Sequence, residues 1–281
     1  MALSHQSKLL RAMARNAATY DKAAQLPQTV GARLLERLQY ITLRPKTVVE
    51  LGSGTQYLQA ALHSQFPHAH IISVDWSLPA LTQRPGFQSL CADAHKLPFS
   101  DHTIALVCAV FMLEWSPNLL SLLQEIKRVL APEGLFLFAT LGPGTLQELR
   151  TTWHEQVKTH HVNFFYDMHD IGDMLMKLHF SDPVMDREDF TLLYPRLHDL
   201  LQELKHLGSI KTAPHLHPAL TGKSIFQKIE KRYPVDPNTH YLPATFEVIY
   251  GHAFGPSLAS QDKETGITRI PVTQIGRKSK F

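Results

Sequence analysis

The stretch VVELGSGTQY, from Val48 to Tyr57, constrains the fold more than any other part of this chain. It runs from an apolar, β-branched segment into a pair of glycines and then into a helix-like segment. A strand, a tight glycine turn and a helix N-terminus together present backbone N–H groups to a ligand. A dinucleotide loop needs a third glycine at the position that Tyr57 occupies here. The stretch therefore predicts a cofactor site on an α/β fold, but not a dinucleotide site.

From residue 47 to residue 140, short apolar runs alternate with helix-like stretches. This alternation is typical of a parallel sheet that helices cover on both faces, so it predicts a doubly wound α/β fold. The predicted strands of this region are Thr47 to Leu51, His70 to Asp75, Phe87 to Ala92, Thr103 to Val110 and Gly134 to Thr140. The predicted helices between them are Tyr57 to Gln65, Leu78 to Gln83 and Leu119 to Leu130.

The pattern changes beyond Thr140, where helices and strands no longer alternate regularly. Helices are predicted at Leu146 to Lys158, Asp170 to Leu178 and Leu197 to Leu207. Strands are predicted at Val184 to Leu193 and at Thr245 to His252, which is rich in β-branched and aromatic residues.

Acidic residues lie at the ends of the first three predicted strands. Asp75 ends HIISVD, where a carboxylate can accept hydrogen bonds from the two vicinal hydroxyls of a ribose. Asp93 and Ala94 follow the third strand in CADAHKLPF, where an adenine can be bound, and Trp76 could stack on it. With Glu50 at the end of the first strand, this set predicts a site for S-adenosylmethionine, whose methionine end would lie on the turn of Gly52 and Gly54. The alternatives are that Glu50 caps the turn, that Asp93 caps a helical turn and that Trp76 is a core residue.

Composition excludes several functional classes. The net charge is +3 and the pI is about 8.8, which is too weak a bias to indicate nucleic-acid binding without a basic patch or recognition motif. Cys91 and Cys108 both fall in predicted buried strands, so they are expected to be reduced packing thiols. No Cys/His cluster has zinc spacing, and no metal site is expected. The longest apolar run, Ile104 to Leu113, is too short to span a bilayer.

The first twenty residues contain Lys8, Arg11 and Arg15 and no acidic residue. Such a segment could be a mitochondrial presequence or an ordinary amphipathic helix with an apolar face. The helix is the favoured interpretation, because the family resemblance described next implies a helical cap over these residues.

At the glycine loop the chain resembles the class I S-adenosylmethionine-dependent methyltransferases. More closely, it is similar to the malonyl-ACP O-methyltransferase family of biotin synthesis, where ACP is the acyl carrier protein. The stretches that carry the likeness are NAATYDKAAQL, ADAHKLPFSD, LLQEIKRVLAPEGLFLFATLGPGTLQELR, HHVNFFYDMHDIGD and LHDLLQELKHLGS. The resemblance implies a Rossmann-like, mostly parallel seven-stranded sheet in a domain of residues 1–255. It also implies an N-terminal helical cap at about residues 5–40, a helical lid insertion at about residues 145–180, and a basic, flexible tail at residues 256–281.

The resemblance implies transfer of a methyl group from S-adenosylmethionine to the free carboxylate of a malonyl thioester, on ACP or on coenzyme A. Tyr20, His161 and Asn163 are then the candidates for contact with the acceptor. A cytoplasmic monomer is expected, without nucleic-acid or membrane partners. Two alternatives stay open: a methyltransferase for another small carboxylate or a quinone precursor, and a non-catalytic assembly factor that keeps the fold.

The chain departs from the family pattern at two positions. Phe164 follows HVN where many members have arginine, and Gln56 replaces the usual third glycine of the loop. The Gln56 side chain either points away from the cofactor or contacts its methionine end. An acidic carrier would need basic docking residues, and the candidates are Lys205, Lys211, Lys223, Lys228, Lys231 and Arg232.

Overall fold

The protein is described by a computed structural model that covers residues 5–157, 165–207, 223–256, 260–261 and 268–269. Its main feature is a seven-stranded sheet with the order β3-β2-β1-β4-β5-β7-β6. The strands are β1 Thr47–Leu51, β2 His70–Asp75, β3 Ser89–Cys91, β4 Ile104–Val110, β5 Leu130–Leu141, β6 Ser181–Tyr194 and β7 Leu242–Phe254. Strands β1 to β5 pair in parallel, whereas β7 runs antiparallel to both β5 and β6. The predicted fold class is confirmed.

Nine helices of the described residues pack around the sheet. They are α1 His5–Ala23, α2 Gln25–Glu36, α3 Gln59–Gln65, α4 Leu78–Leu81, α5 Leu119–Val129, α6 Gln147–Val157, α7 Met168–Lys177, α8 Leu197–His206 and α9 Lys223–Arg232. Helix α1 is the amphipathic helix favoured for the N-terminus. Helices α2 and α9 are not in the list predicted from the sequence.

Two apolar cores lie on opposite faces of the sheet. Successive side chains of a strand point to opposite faces, so Val48 belongs to one core and Val49 to the other. Leu135 and Phe136 divide in the same way on β5. Helix α2 packs on the first core and α5 on the second, and each fully buried leucine stabilises the fold by roughly 1.5–3 kcal/mol. The central strands β1, β4 and β5 are therefore buried on both faces over most of their length, as the long apolar runs predict.

One of the two cysteines is not where the sequence placed it. Cys108 is fully buried in the central strand β4, as predicted, but Cys91 is exposed. Cys91 lies on β3, which has a neighbouring strand on one side only. The prediction of a buried packing thiol at Cys91 is wrong because an apolar run does not show whether its strand is central or at an edge.

Several predictions fall wholly or partly outside the described residues. His161, Asn163 and Phe164 lie in the undescribed range 158–164, between α6 and α7. In the basic tail, Pro256, Ser260–Gln261 and Thr268–Arg269 are described, and the last two segments pair as short antiparallel strands β8 and β9. Within the described parts of the chain, no helix is long and apolar enough to cross a membrane. The same parts contain no group of side chains suited to hold a metal ion.

Candidate active site

An open cavity of about 1110 Å³, including its mouth, lies at the carboxyl ends of β1, β2 and β4. Strand order reverses between β1 and β4, and α/β sheets bind their ligands at such a point. The glycine loop, the ends of β2 and β3 and the segment after β4 form its floor. Helix α1 and the end of α8 cover it through Asn16, Ala17, Tyr20, His206 and Leu207.

The glycine loop requires glycine at its first position for two reasons. Gly52 has a φ of 70°, which is unfavourable for residues with a side chain. A Cβ atom placed there would lie 2.3 Å from Cγ of Met112. At Gly54, with a φ of 52°, a Cβ would meet nothing within 4 Å. The loop therefore packs tightly against the segment after β4 and leaves open space at Gly54 for a ligand.

Asp75 lines the cavity at the end of β2, and backbone N–H groups of neighbouring residues hold its carboxylate. Its Oδ2 accepts a hydrogen bond from the Gly54 N–H at 2.9 Å, and its Oδ1 accepts one from the Ser77 N–H at 2.7 Å. Burial raises the pKa of Asp75 above its ordinary value, while these N–H groups act in the opposite direction. A carboxylate has about four acceptor sites, so these donors orient the side chain and leave it able to accept from a ribose hydroxyl.

Asp93, Ala94 and Trp76 line the same cavity, as predicted for an adenine pocket. Oδ1 of Asp93 accepts the His95 N–H at 2.9 Å, so the residue also caps a turn, which was the alternative interpretation. Burial acts to raise the pKa of Asp93, but its contacts with His95 lower it below the ordinary value. Asp93 thus remains an anionic acceptor at neutral pH, next to an apolar surface.

Glu50 does not line the cavity and lies beneath the glycine loop instead. Its Oε2 accepts hydrogen bonds from Gln59 Nε2 at 2.8 Å and from Ser73 Oγ at 2.9 Å. Burial raises the pKa of Glu50 to about 7, although these hydrogen bonds act to lower it. Glu50 therefore connects β1 to β2 and α3, and any effect it has on a ligand passes through the loop.

Gln56 also lies outside the cavity lining. It has a φ of 62° and is completely buried, and its side-chain amide donates a hydrogen bond to Ser89 Oγ on β3. Of the two orientations considered from the sequence, the structure has the one that points away from the cavity. Its amide oxygen has no hydrogen-bond partner.

Helix α1 is attached to the glycine loop through Asp21. Thr55 Oγ1 donates to Asp21 Oδ1, and Arg84 Nη2 lies 2.8 Å from Asp21 Oδ2. At the other side, Asn16 Nδ2 donates to the Lys205 carbonyl oxygen at 2.8 Å. These contacts place Tyr20 over the cavity, and the Tyr20 hydroxyl has no hydrogen-bond partner among the described residues. Burial, followed by the charge of Glu114, raises the pKa of Tyr20, so its hydroxyl stays protonated.

Sequence reasoning missed the segment from Val110 to Pro117, several of whose residues line the cavity. The sequence did contain a signal for it. The segment follows the predicted strand Thr103 to Val110, whose carboxyl end lies at the same side of the sheet as that of β1. Glu114 in this segment accepts a hydrogen bond from Thr140 Oγ1 at 3.1 Å, and burial raises its pKa to about 7.

A family model described as a methyltransferase domain matches residues 49–138. Three proteins named malonyl-ACP O-methyltransferase match over nearly the whole chain. The protein from Coxiella burnetii is 37% identical and the match covers 98% of this chain and 97% of that protein. The protein from Methylovorus sp. is 38% identical, with 90% of each chain covered. The protein from Legionella pneumophila is 36% identical, with 97% and 99% covered.

The chain belongs to the malonyl-ACP O-methyltransferase family. It is an O-methyltransferase whose cofactor is S-adenosylmethionine. The resemblance inferred from the sequence motifs is confirmed, including the regions on both sides of the methyltransferase domain.

Solved structures of other methyltransferases have the same fold. Phosphoethanolamine N-methyltransferase 2 of Haemonchus contortus, in complex with S-adenosyl-L-methionine, gives a TM-score of 0.51 at 15% identity, with 82% of this chain and 53% of that chain covered. The YcgJ protein of Bacillus subtilis gives a TM-score of 0.54 at 13% identity, with 80% and 98% covered. At these identities the likeness establishes the fold alone.

Proposed function

We propose that the protein transfers a methyl group from S-adenosylmethionine to the free carboxylate of malonyl-ACP, forming the methyl ester that starts pimeloyl synthesis for biotin. The observation that supports this acceptor is the likeness to curated malonyl-ACP O-methyltransferases over almost the full length of both chains. We further propose that it acts in the cytoplasm as a monomer, without nucleic-acid or membrane partners.

The cavity suits the cofactor because it combines a polar anchor with an apolar surface. Asp75, oriented by the N–H groups of Gly54 and Ser77, would accept from the ribose hydroxyls. Asp93, Ala94 and Trp76 would hold the adenine. When bound, S-adenosylmethionine supplies a methyl group activated by a sulfonium. The acidic residues around the cavity favour this positive charge.

The acceptor requires no general base from the protein. A malonyl carboxylate has an ordinary pKa of roughly 4, so it is ionised at neutral pH. The protein must orient the acceptor in line with the methyl group and exclude water, and orientation of this kind can account for much of the rate. Helix α1 covers the cavity, and the free Tyr20 hydroxyl can donate to the carboxylate without neutralising its charge. His161 and Asn163, on the lid, are proposed to complete the acceptor pocket.

The carrier would dock on the basic residues that are dense between Lys205 and Arg232. Lys205 is exposed at the end of α8, whose next residue, His206, lines the cavity. Helix α9 exposes Lys228, Lys231 and Arg232, whereas Lys211 and the Lys223 side chain lie outside the described residues. Changing these three α9 residues to glutamate should raise KM for malonyl-ACP and leave KM for malonyl-CoA unchanged. The matched control is Lys46→Glu. Lys46 is exposed and directly precedes β1, so it lies at the amino ends of the parallel strands, away from the cavity at their carboxyl ends.

Complementation tests the proposed function in cells. A bacterial strain without its malonyl-ACP methyltransferase should grow without biotin when it expresses this protein. The Asp75→Asn variant, expressed equally, should fail to support growth, and added biotin should rescue both cultures. A strain that stays biotin-dependent with the wild-type protein would contradict the proposal.

Two competing functions give different results in purified form. A methyltransferase for another small carboxylate or a quinone precursor would bind S-adenosylmethionine and leave malonyl-ACP unmodified. An assembly factor that has lost the cofactor would give no heat of binding in a calorimetric titration with S-adenosylmethionine.

A further inference from the structure

Tyr57 lines the cavity but has no role in the proposed binding of the cofactor or the acceptor. It follows the glycine loop, lines the cavity and packs on the first apolar core. A Cβ atom on Gly31 of α2 would lie 3.2 Å from the ring carbon Cε2 of Tyr57, so the absence of a side chain at Gly31 makes room for the ring. The ring is therefore held between α2 and the loop.

The Tyr57 hydroxyl is free and reaches solvent. It has no hydrogen-bond partner among the described residues. Its oxygen is also not one of the fully buried polar atoms that lack a partner. A half-buried tyrosine on the cavity wall whose hydroxyl is accessible and unpaired presents that hydroxyl to the cavity. Tyr20 has the same combination of properties on the opposite, α1 side.

The lining of the cavity offers no cationic lysine or arginine side chain to an anionic acceptor, within the described residues. Asp75 and Asp93, in contrast, are among its lining residues. Burial and the neighbouring Tyr20 raise the pKa of Tyr57, so both phenols remain neutral donors across the physiological range. Neutral donors orient a carboxylate and leave its charge available for attack on the methyl group, which a salt bridge would reduce.

We propose that the Tyr57 hydroxyl is a second donor to the acceptor carboxylate and acts together with the Tyr20 hydroxyl. The inference rests on the proposed function, because it assumes that a free carboxylate is the acceptor. The two phenols come from different elements, the glycine loop and the N-terminal cap. The carboxylate would therefore be bound correctly only when α1 is closed over the loop, which couples its orientation to the exclusion of water.

The test is steady-state kinetics with the full-length protein, S-adenosylmethionine and malonyl-ACP. Tyr57→Phe removes only the hydroxyl and keeps the ring that packs against Gly31. We expect kcat/KM for malonyl-ACP to fall about 10- to 100-fold, as for loss of one hydrogen bond to a charged group, while the Kd of S-adenosylmethionine changes less than about twofold. Tyr40→Phe is the matched control, since Tyr40 is 83% exposed and does not line the cavity, and it should behave as wild type.

The double variant Tyr20→Phe with Tyr57→Phe supplies an independent readout. Two donors to one carboxylate should be coupled, so the combined loss should differ from the product of the single losses. Unchanged kcat/KM for Tyr57→Phe would overturn the inference, as would a weaker Kd for S-adenosylmethionine with unchanged acceptor kinetics. If the wild-type protein itself does not methylate malonyl-ACP, the proposed function fails and this inference fails with it. If the wild-type protein methylates malonyl-ACP and the kcat/KM of Tyr57→Phe is unchanged, the inference about Tyr57 is overturned and the proposed function stands.

Discussion

Replacing Glu50 by glutamine should change how the stability of the protein depends on pH. Glu50 is 2% exposed, and its pKa is raised by burial from 4.5 to about 7. The folded state therefore binds a proton that the unfolded state has already lost above pH 4.5. Stability is lost as the pH rises from about 4.5 to about 7, and the loss levels off above pH 7. Glutamine does not titrate, so the variant lacks this contribution.

The size of the effect follows from the two pKa values. One pKa unit corresponds to about 1.4 kcal/mol, so Glu50 should lower the free energy of unfolding by about 2.5 kcal/mol between pH 5 and pH 8.5. A constant offset between the two proteins is also expected, because Glu50 accepts from Gln59 and Ser73 and the amide replaces one oxygen by a donor. The offset does not depend on pH, and the predicted change does.

Urea unfolding at a series of pH values measures this difference. The free energy of unfolding of wild type minus that of Glu50→Gln should fall by about 2.5 kcal/mol from pH 5 to pH 8.5. Glu114, whose pKa is also raised to about 7, is present in both proteins and cancels from the comparison. Parallel pH profiles would refute the reasoning, since they would show that Glu50 is not buried beneath the loop as a titrating carboxyl.

Three further substitutions test the candidate site by calorimetric titration with S-adenosylmethionine. Gln56→Gly should leave the affinity within about twofold of wild type, because the side chain points toward β3; a tenfold loss would show that Gln56 contacts the ligand. Asp21→Ala should weaken binding about 5- to 30-fold and speed hydrogen exchange in α1, because its contacts to the glycine loop and to the turn after α4 are lost. The control Asp199→Ala, which loses only an exposed ion pair on α8, should change neither quantity. Asp75→Asn should weaken binding about 10- to 100-fold through loss of a charged acceptor, and unchanged affinity would exclude its proposed role at the ribose.

The sheet could be predicted well because its local and tertiary preferences agree. The observed strands Thr47–Leu51 and His70–Asp75 coincide with those predicted, since each is a short β-branched run that ends at or just after an acidic residue. No separate helix was predicted at α2, which lies inside the helical cap expected at about residues 5–40, because Pro27 and Gly31 both lower helix propensity. Pro27 is tolerated in the first turn, and the space at Gly31 is needed for Leu58 and Tyr57.

The candidate site was predictable only to the level of which strand ends meet. The edge of a parallel sheet gathers the ends of its strands, so Asp75 and Asp93 could be placed at one cavity. Whether a polar side chain enters the cavity or the protein interior depends on partners far away in sequence. Glu50 lies under the loop because Ser73 and Gln59 donate to it, and no local pattern indicates these contacts. The sequence argument treated Tyr57 only as a missing glycine, and its free hydroxyl is visible only in the folded chain.

Transfer of a labelled methyl group from S-adenosylmethionine to malonyl-ACP by the purified protein tests the central claim most directly. The account predicts label on the carrier, in an ester that mild alkali releases as methanol. It also predicts no label on ACP that lacks the malonyl group. Binding of S-adenosylmethionine without transfer to malonyl-ACP, or equal transfer to small acids in place of the carrier, would contradict the account.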